Sequence, residues 1–416
     1  MTDLGHLVGW LPLAWATVVA CVSLEAARRA FQRPSEACPP RPDAAQPTPV
    51  SALQVLLVRP CAGHEPHLDR ALRSLCEART SATLRCTFAV ESDDDEAAPA
   101  ARAAVQALIS AGIPSCLVNT AQGTATPRAF APNRKAAQIA AVVAAERQPF
   151  DVLLIADSDV DLAGLDLDTL LAPLSGPHPA AAAWAPPAEF APPHTLADRA
   201  SAALLGGSLH AFPLLAGLDP GSLVGKLCAL RADALHRIGG FDALTAHLGE
   251  DMELGRRLRA QGSAIRVAPL VAPSLASHRS IPAIVSRYAR WLTVIRAQRP
   301  LLLASYPALF AATPLIVLLA LLTASATATA PATTATVSWP ALAAIALALG
   351  ARLLTAFAAA RAAGRPTSLR TAIADALLAD LLLLAAFTRA LVSRKVVWRS
   401  AVLTVDRRGL LREAEA

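Results

Sequence analysis

Apolar residues concentrate at the two ends of the chain, on either side of a mixed middle region. Residues 7–24 form an uncharged apolar run that is long enough to cross a bilayer. The first basic residues of the chain come after this run, at Arg28, Arg29 and Arg33. That order favours a membrane anchor over a secretory signal and places the following chain in the cytoplasm. We therefore predict a transmembrane anchor at 1–30 and, from the Pro/Ala-rich composition, a linker at 31–50.

Short apolar runs alternate with helical patterns between residues 51 and 300. Runs at 52–60, 83–94 and 151–159 have the length and composition of strands, and amphipathic helical patterns stand between them. This alternation predicts an α/β fold with a mostly parallel sheet, in which ligands bind beyond the carboxyl ends of the strands. Acidic residues follow the second and third strands. The carboxylates therefore converge on the edge where a ligand is expected.

A second hydrophobic region follows residue 300. Residues 301–322 read as a strong span, residues 339–360 as a second span weakened by Arg352, and residues 372–392 as a third apolar stretch. We predict transmembrane or re-entrant helices at 301–393 and a basic tail at 394–416. If the last stretch crosses fully, the tail lies outside, against the positive-inside rule; a re-entrant or interfacial segment removes the conflict. The sequence leaves both alternatives open.

Composition and net charge indicate which classes of molecule the protein is expected to bind. The chain has 416 residues, a net charge of +6 and a pI near 9.2, which fit a protein that lies beside anionic lipid or binds phosphates. Only 4% of residues are aromatic, with no alternation of basic and aromatic positions, so nucleic acid is not an expected partner. The seven cysteines include no CxxC pair, which argues against a zinc site and predicts reduced thiols.

The third predicted strand ends in Asp157-Ser158-Asp159. Residues two apart on an extended chain point the same way, and like charges so close repel unless a positive group lies between them. A solvated turn is one interpretation of this triplet. The other is a nucleotide-diphosphate site, because two such carboxylates can hold Mg²⁺ or Mn²⁺ against a pyrophosphate leaving group. On that hypothesis Asp157 and Asp159 are metal ligands.

Two further motifs fit a nucleotide-diphosphate site. Lys135 opens the helix that leads to the third strand and can offer a point charge to phosphate, although a surface lysine is the alternative. Lys135 is one of three lysines in the chain, with Lys226 and Lys395. Glu250 and Asp251 follow a Gly-rich turn at a helix start, where a carboxylate serves either as a helix cap or as a general base.

The segment SRYARW lies just before the C-terminal apolar region. Arg287 and Arg290 are three residues apart, on one helical face, and Trp291 stands beside them. One interpretation is anchoring at the bilayer surface. The other is an arginine pair over a diphosphate, with an aromatic wall for an acceptor.

In this order, the motifs ESDDDEA, NRK, DSD, GED and RxxRW resemble the family-2-type membrane glycosyltransferases. The chain is most similar to the ceramide glucosyltransferase branch and its bacterial relatives that glycosylate hopanoids, over about residues 51–300 and the flanking spans. The resemblance implies a GT-A-like (Rossmann-like) domain in the cytoplasm, carried by a multi-pass protein of the bacterial inner membrane. It also implies a UDP-sugar donor, Mg²⁺ or Mn²⁺, and a membrane lipid acceptor within the bilayer.

The same resemblance implies roles for individual residues. Asp95, or Asp94 beside it, would contact uridine; Asp157 and Asp159 would hold the metal and diphosphate; Asp251 would be the catalytic base. The implied nucleotide-sugar site comprises Asp94, Asp95, Lys135, Asp157, Glu250, Arg287, Arg290 and Trp291. One departure is Ala62, which stands where the family's first loop often has a lysine.

The activity implied is inverting transfer of N-acetylglucosamine or glucose to a lipid hydroxyl, on a hopanoid polyol or a ceramide-like lipid. A processive polysaccharide synthase is one alternative, but it would need more spans and tends to carry glutamine at the position of Arg287. A catalytically silent membrane scaffold is another, and the intact acidic motifs argue against it. A transporter is disfavoured because the ionisable groups of the spans form no evident relay.

Overall fold

The chain forms two compact units, each assembled from three separate segments. The computed structural model describes residues 2–31, 48–121, 131–190, 195–219, 221–328, 339–398 and 401–413, so most of the predicted linker lies outside it. The sheet unit comprises Arg33–His194, Asp219–Arg279 and Ser393–Ala416, and the helical unit comprises Met1–Gln32, Thr195–Leu218 and Ser280–Val392. The units thus interleave along the chain, whereas the sequence predicts contiguous domains.

Twelve strands are present in the described residues, all of them in the sheet unit. They are β1 Gln54–Pro60, β2 Thr83–Val90, β3 Ser115–Asn119, β4 Val152–Ala156, β5 Ala182–Trp184, β6 Pro187–Glu189, β7 Leu227–Arg231, β8 Ile265–Val267, β9 Ala272–Ser274, β10 Lys395–Trp398, β11 Ala401–Val405 and β12 Leu411–Glu413.

The main sheet has the order β3-β2-β1-β4-β7-β5-β8. All of its neighbouring strands are parallel except β7, which runs antiparallel to both β4 and β5. Leu56 and Leu57 of β1 point to opposite faces and are both fully buried, as expected for a parallel sheet covered on both sides. The predicted α/β fold with a mostly parallel sheet is confirmed.

The α-helices are α1 Thr2–Phe31, α2 Leu68–Arg73, α3 Ala98–Ser110, α4 Arg134–Ala145, α5 Asp168–Leu171, α6 Leu196–Gly206, α7 Phe212–Leu218, α8 Ala232–Arg237, α9 Glu250–Ala260, α10 Ile281–Gln298, α11 Pro300–Ser305, α12 Pro307–Phe310, α13 Ala312–Ala328, α14 Trp339–Ala362 and α15 Leu369–Val392. Within the sheet unit, α2 and α3 follow β1 and β2, and α4 precedes β4, as the alternating sequence pattern predicts.

Three helices of the described chain are long and apolar enough to cross a membrane: Gly9–Phe31, Trp339–Ala362 and Leu369–Val392. The strong span predicted at 301–322 is not one straight helix. Pro300–Phe310 and Ala312–Ser325 meet at an angle of 58°. Prolines at 307 and 314 lie at or near this break, and each removes a backbone donor from the helical ladder.

In the helical unit, α1 and α14 run parallel. Trp10 packs edge-on against Trp339 near one end, with ring centroids 5.0 Å apart, and Ala26 shares a buried cluster with Ala358 and Ala359 near the other. Three charged residues of α14 and α15 form ion pairs: Arg352, Asp375 and Asp380. Arg352 binds Asp380 through two hydrogen bonds of 2.9 and 3.0 Å, and Asp375 lies 3.5 Å from Arg365 and 3.6 Å from Arg199.

The predicted basic tail is a folded part of the sheet unit. β10, β11 and β12 form a three-stranded antiparallel sheet. Its last turn pairs with residues 246–248, since Leu411 N–H donates to Ala246 at 2.8 Å and Leu248 N–H donates to Gly409 at 3.0 Å. The six described cysteines are free thiols, and Cys38 lies outside the described residues.

Candidate active site

The acid pair after β4 is neutralised by two lysines. Lys135 Nζ lies 2.6 Å from Asp157 Oδ1, and Lys226 Nζ lies 2.5 Å from Asp159 Oδ2 and 4.0 Å from Asp157 Oδ2. Ser274 Oγ donates a further hydrogen bond of 2.8 Å to Asp159 Oδ2. Two positive charges therefore offset the repulsion between the carboxylates, and these are two of the three lysines in the chain.

Sequence reasoning singled out Lys135 and missed Lys226. Lys226 immediately precedes β7, and the antiparallel pairing of β7 with β4 brings it to the end of β4, where its carbonyl accepts from Asp157 N–H at 2.9 Å. The rarity of lysine in this chain was the available signal. The register that places Lys226 there is a long-range property of the sheet.

The donor set fits a divalent cation that shares its coordination with a substrate. Asp157 and Asp159 supply carboxylate oxygens, the ligands that Mg²⁺ and Mn²⁺ prefer. In the described part of the chain, no group of three or more His, Cys, Asp or Glu residues is arranged to hold a metal ion. The two carboxylates thus suit a cation that completes its shell with phosphate oxygens and water, as Mg²⁺ commonly does.

Lys135 connects the acid pair to the predicted base. Its ammonium donates to the carbonyl of Gly225 at 2.8 Å and lies 3.4 Å from Glu250 Oε1. Burial alone would lower the pKa of Lys135, but the charges of Asp157 and Glu250 outweigh it and raise the pKa above its ordinary value. Lys135 therefore stays positively charged across the physiological range.

Asn133 stabilises the position of Glu250 beside Lys135 through its hydrogen bonds. It is fully buried and caps α4 by accepting from Ala136 N–H at 3.0 Å. Its amide nitrogen donates to Glu250 Oε2 and to the carbonyl of His247, both at 2.8 Å. The asparagine of the NRK motif thus joins the start of α4 to the start of α9, a role that sequence reasoning missed.

Asp251 lies in the first turn of α9 but does not cap it, since the capping position is Gly249. Its Oδ2 accepts from Gly225 N–H at 2.9 Å and its Oδ1 from Met252 N–H at 2.8 Å. Burial, reinforced by the neighbouring charge of Glu250, raises the pKa of Asp251 to about 6. A carboxylate with this pKa is ionised at neutral pH and is a stronger base than an ordinary aspartate.

Asp95, one of the predicted uridine-contacting residues, links the loop after β2 to the loop after β1. Asp95 Oδ1 accepts from Gly63 N–H at 2.7 Å and from Ala97 N–H at 2.9 Å. Asp94 is exposed, and Asp93 is paired with Arg102 at 2.7 Å. Asp95 therefore tethers the first loop in this structure, whereas Asp94 is open to solvent.

Two charged residues in and after β1 also support the acid pair. The fully buried Arg59 donates to the carbonyls of Asp157 at 3.0 Å and Val160 at 2.7 Å, which shapes the turn after β4. Glu65 Oε2 accepts from Ser158 Oγ at 3.0 Å, and burial together with the charge of Asp159 raises the pKa of Glu65. Arg59 could have been singled out from the sequence because it is a charged residue within an apolar strand. No sequence pattern distinguishes Glu65.

The RxxRW residues lie on α10, in the helical unit. The Arg287 guanidinium carbon is 5.0 Å from the centroid of the Trp291 ring. Trp291 also packs edge-on against Tyr288 and Phe212, with centroids 4.8 and 5.4 Å apart. Trp291 is thus fixed within an aromatic cluster. The structure joins Lys135, Asp157, Asp159, Glu250 and Asp251 in one network of the sheet unit, and Arg287, Arg290 and Trp291 belong to the other unit.

Several solved structures are similar to this chain at low identity. A mannosyltransferase from Pyrobaculum calidifontis in complex with GDP-Man and Mn²⁺ is 17% identical, with 92% of this chain and 99% of that chain covered and a TM-score of 0.42. Glucosyl-3-phosphoglycerate synthase from Mycobacterium tuberculosis in complex with Mg²⁺ and uridine-diphosphate is also 17% identical, with 58% and 79% covered and a TM-score of 0.35. No curated protein matches significantly. A family model described as glycosyl transferase family 21 matches residues 8–411.

Proposed function

The chain belongs to glycosyl transferase family 21, and we propose that it transfers N-acetylglucosamine or glucose from a UDP-sugar to a hydroxyl group of a membrane lipid. A hopanoid polyol or a ceramide-like lipid is the proposed acceptor. One observation carries the proposal: the acid pair and the candidate base belong to a single hydrogen-bonded network. Lys135 contacts Asp157 and the carbonyl of Gly225, while the N–H of Gly225 binds Asp251.

On this proposal, the donor diphosphate binds beside Lys135 and Lys226. Each ammonium carries a positive charge and can contact phosphate oxygens as well as the acid pair. Asp157 and Asp159 would hold Mg²⁺ or Mn²⁺, which when bound neutralises negative charge on the departing diphosphate. The exposed carboxylate of Asp94 is available to the uracil, and Asp95 keeps the adjacent loop in position.

Asp251 acts as the general base. It accepts the proton of the lipid hydroxyl while the hydroxyl oxygen forms a bond to the anomeric carbon. The bond from that carbon to the diphosphate oxygen breaks at the same time, and UDP leaves with the electron pair. A single displacement of this kind inverts the anomeric centre, from an α-linked donor to a β-linked product. A base with a pKa near 6 is suited to this step because it is ionised at neutral pH and still basic.

The lipid acceptor requires that the sheet unit lie at a membrane surface, and we place it on the cytoplasmic side. α1 has Arg28 and Arg29 in its last turn. The polar sequence that follows α1 leads to the sheet unit. Because α14 runs parallel to α1, its C-terminal end is on the cytoplasmic side as well.

The tail supports a specific path for the last helices. Residues 393–416 belong to the sheet unit, so the chain is again cytoplasmic after α15. On our placement α15 begins and ends on that side and does not cross. The bent segment of α11, α12 and α13 then crosses once, outward, to reach the start of α14. This path removes the conflict with the positive-inside rule that a fully crossing last segment creates.

The test is a transfer assay with the purified full chain in lipid nanodiscs. Radiolabelled UDP-glucose and UDP-N-acetylglucosamine are supplied separately with Mn²⁺ or Mg²⁺ and extracted bacterial lipids. We expect one donor to yield a labelled lipid, and Asp251→Asn to reduce the rate by about 100-fold or more. Asp233→Asn is the matched control, since Asp233 is likewise the second residue of a helix, α8, but pairs at the surface with Arg231 and Arg237.

Three results would contradict the proposal. Transfer by Asp251→Asn at the wild-type rate would remove Asp251 as the base. The absence of both labelled lipid and UDP release, from either donor, would favour the silent scaffold. Labelled polymer instead of labelled lipid would identify a polysaccharide synthase.

A further inference from the structure

We propose that the helical unit contains a binding site for the hydroxyl group of a membrane lipid, centred on His210 and Ser23. This inference goes beyond sugar transfer and does not depend on the sheet unit. The site is a cavity bounded by α1, the segment between α6 and α7, the bent α12–α13 segment, α14 and α15. Ser23 and Arg352 on its wall lie in candidate membrane spans.

Two side chains of the cavity lack hydrogen-bond partners among the described residues. His210 is 8% exposed, and neither ring nitrogen is bonded to a protein atom. Ser23 is 1% exposed, and its hydroxyl is likewise unbonded. Buried polar groups without partners are costly, and nearly all such groups in folded proteins are satisfied by protein, ligand or water. Two of them on the wall of one cavity indicate a polar occupant.

The charges around the cavity exclude an ionic occupant. Arg352 directs its donors to Asp380, to the carbonyl of Gly207 at 2.8 Å and to the carbonyl of Ala376 at 2.8 Å. Neither an anion nor a cation would therefore meet an uncompensated opposite charge. Burial, with the nearby charge of Arg352, lowers the pKa of His210 to about 4, so its ring is neutral under physiological conditions.

A neutral imidazole and a serine hydroxyl each combine a donor with an acceptor. Their complement is a group that also donates and accepts, and a hydroxyl is the smallest such group. The cavity volume is about 20 Å³, which matches one hydroxyl and not a whole headgroup. The rest of the lining combines apolar side chains, at Val19, Leu209, Leu309 and Phe310, with the hydroxyl residues Ser208, Thr313 and Thr355. The apolar members of the lining suit the carbon atoms next to a lipid hydroxyl, while the body of the lipid would lie outside the cavity.

A water molecule shares the chemistry of a lipid hydroxyl, so the experiment separates the two. The full chain is placed in phosphatidylcholine vesicles with a diacylglycerol that carries a photoreactive diazirine in one acyl chain. A parallel sample contains the O-methyl ether of the same probe, which cannot donate a hydrogen bond. No nucleotide sugar is present. After irradiation, labelled peptides are quantified by mass spectrometry.

We expect the alcohol to label the peptides that contain Ser23 or His210 about fivefold more than the ether does, the factor that one lost hydrogen bond implies. Ser23→Ala and His210→Phe should each bring this ratio below about twofold. His210→Gln, which keeps a donor and an acceptor, should retain it. Leu24→Ala is the matched control, because Leu24 is the neighbour of Ser23 on α1 but is 60% exposed on the outer surface of the unit. Size-exclusion profiles confirm that each variant is folded.

Equal labelling by alcohol and ether in the wild type would overturn the proposal and leave water as the occupant. A ratio that persists unchanged in both Ser23→Ala and His210→Phe would also overturn it, since the hydroxyl would then bind elsewhere. Asp251→Asn separates this inference from the proposed function. It should label like the wild type even though its sugar transfer is reduced about 100-fold or more, so either claim can fail without the other.

Discussion

Lys226 and Asp159 form a buried ion pair, with Nζ and Oδ2 2.5 Å apart and both side chains at most 10% exposed. The pair connects the start of the one antiparallel strand of the main sheet, β7, to the acidic turn after β4. It places a lysine beside a carboxylate for which the sequence alone indicated only a divalent cation.

Lys226→Met should lower both stability and activity. It leaves Asp159 buried without its cation, a loss that typically costs about 3–5 kcal/mol of unfolding free energy. Urea titration measures this effect, and the double variant Lys226→Met/Asp159→Asn should recover most of the stability. Lys395→Met is the control, since Lys395 is exposed on β10. Equal loss in the two lysine variants would show that the buried pair has no special role.

Transfer should depend on pH through Asp251. The base must be ionised, so kcat/KM should rise with pH, show an apparent pKa near 6, and level off above about pH 7. Initial rates between pH 5 and 8 at saturating metal measure this profile. The residual activity of Asp251→Asn should be flat across the same range. A wild-type rate that is constant from pH 5 to 8 would exclude a base with this pKa.

Asn133→Ala should cost more than the loss of a helix cap. The variant removes the cap of α4 and also leaves Glu250 without its amide donor, so we expect a loss of about 2–3 kcal/mol and reduced kcat. Thr195→Ala is the matched control because Thr195 caps α6 through Asp198 N–H at 3.0 Å, and should cost about 1 kcal/mol. Similar losses of stability in the two variants, with kcat unchanged in Asn133→Ala, would contradict the link between α4 and α9.

Chelation should abolish transfer if the acid pair holds a divalent cation. Treatment with EDTA followed by desalting should remove activity, and added Mn²⁺ or Mg²⁺ should restore it. Asp157→Asn should raise the metal concentration needed for half-maximal rate about tenfold or more, because one of two carboxylate ligands is lost. Full activity in EDTA would show instead that Lys135 and Lys226 suffice to stabilise the leaving diphosphate.

Reporter fusions test the proposed path of the membrane helices. Green fluorescent protein fused after Ala416 should fluoresce, and alkaline phosphatase fused there should be inactive, because both reporters would lie in the cytoplasm. Fusions after Ser338, before α14, should give the opposite pair of results. Active phosphatase at the C-terminus would mean that α15 crosses the membrane. It would contradict the placement of residues 393–416 on the cytoplasmic side with the rest of the sheet unit.

Local periodicity was sufficient to predict much of this protein. The apolar run that became α1, the alternation of β1, β2 and β4 with helices, and Lys135 at the head of α4 all follow from residues close together in the chain, whereas β3 was not predicted. The DSD triplet was readable as an acidic strand end, but β4 ends at Ala156 and Ser158 and Asp159 lie in a turn, so the predicted extended geometry of the pair is wrong.

Long-range pairing required the tertiary structure. No local pattern indicates that β7 inserts antiparallel between β4 and β5, yet this places Lys226 on Asp159 and the backbone of Gly225 between Lys135 and Asp251. The tail strand beside residues 246–248 and the pairing of Arg352 with Asp380 are also contacts between distant segments. Such contacts depend on sheet order and on helix packing, neither of which is encoded in the periodicity of any single segment.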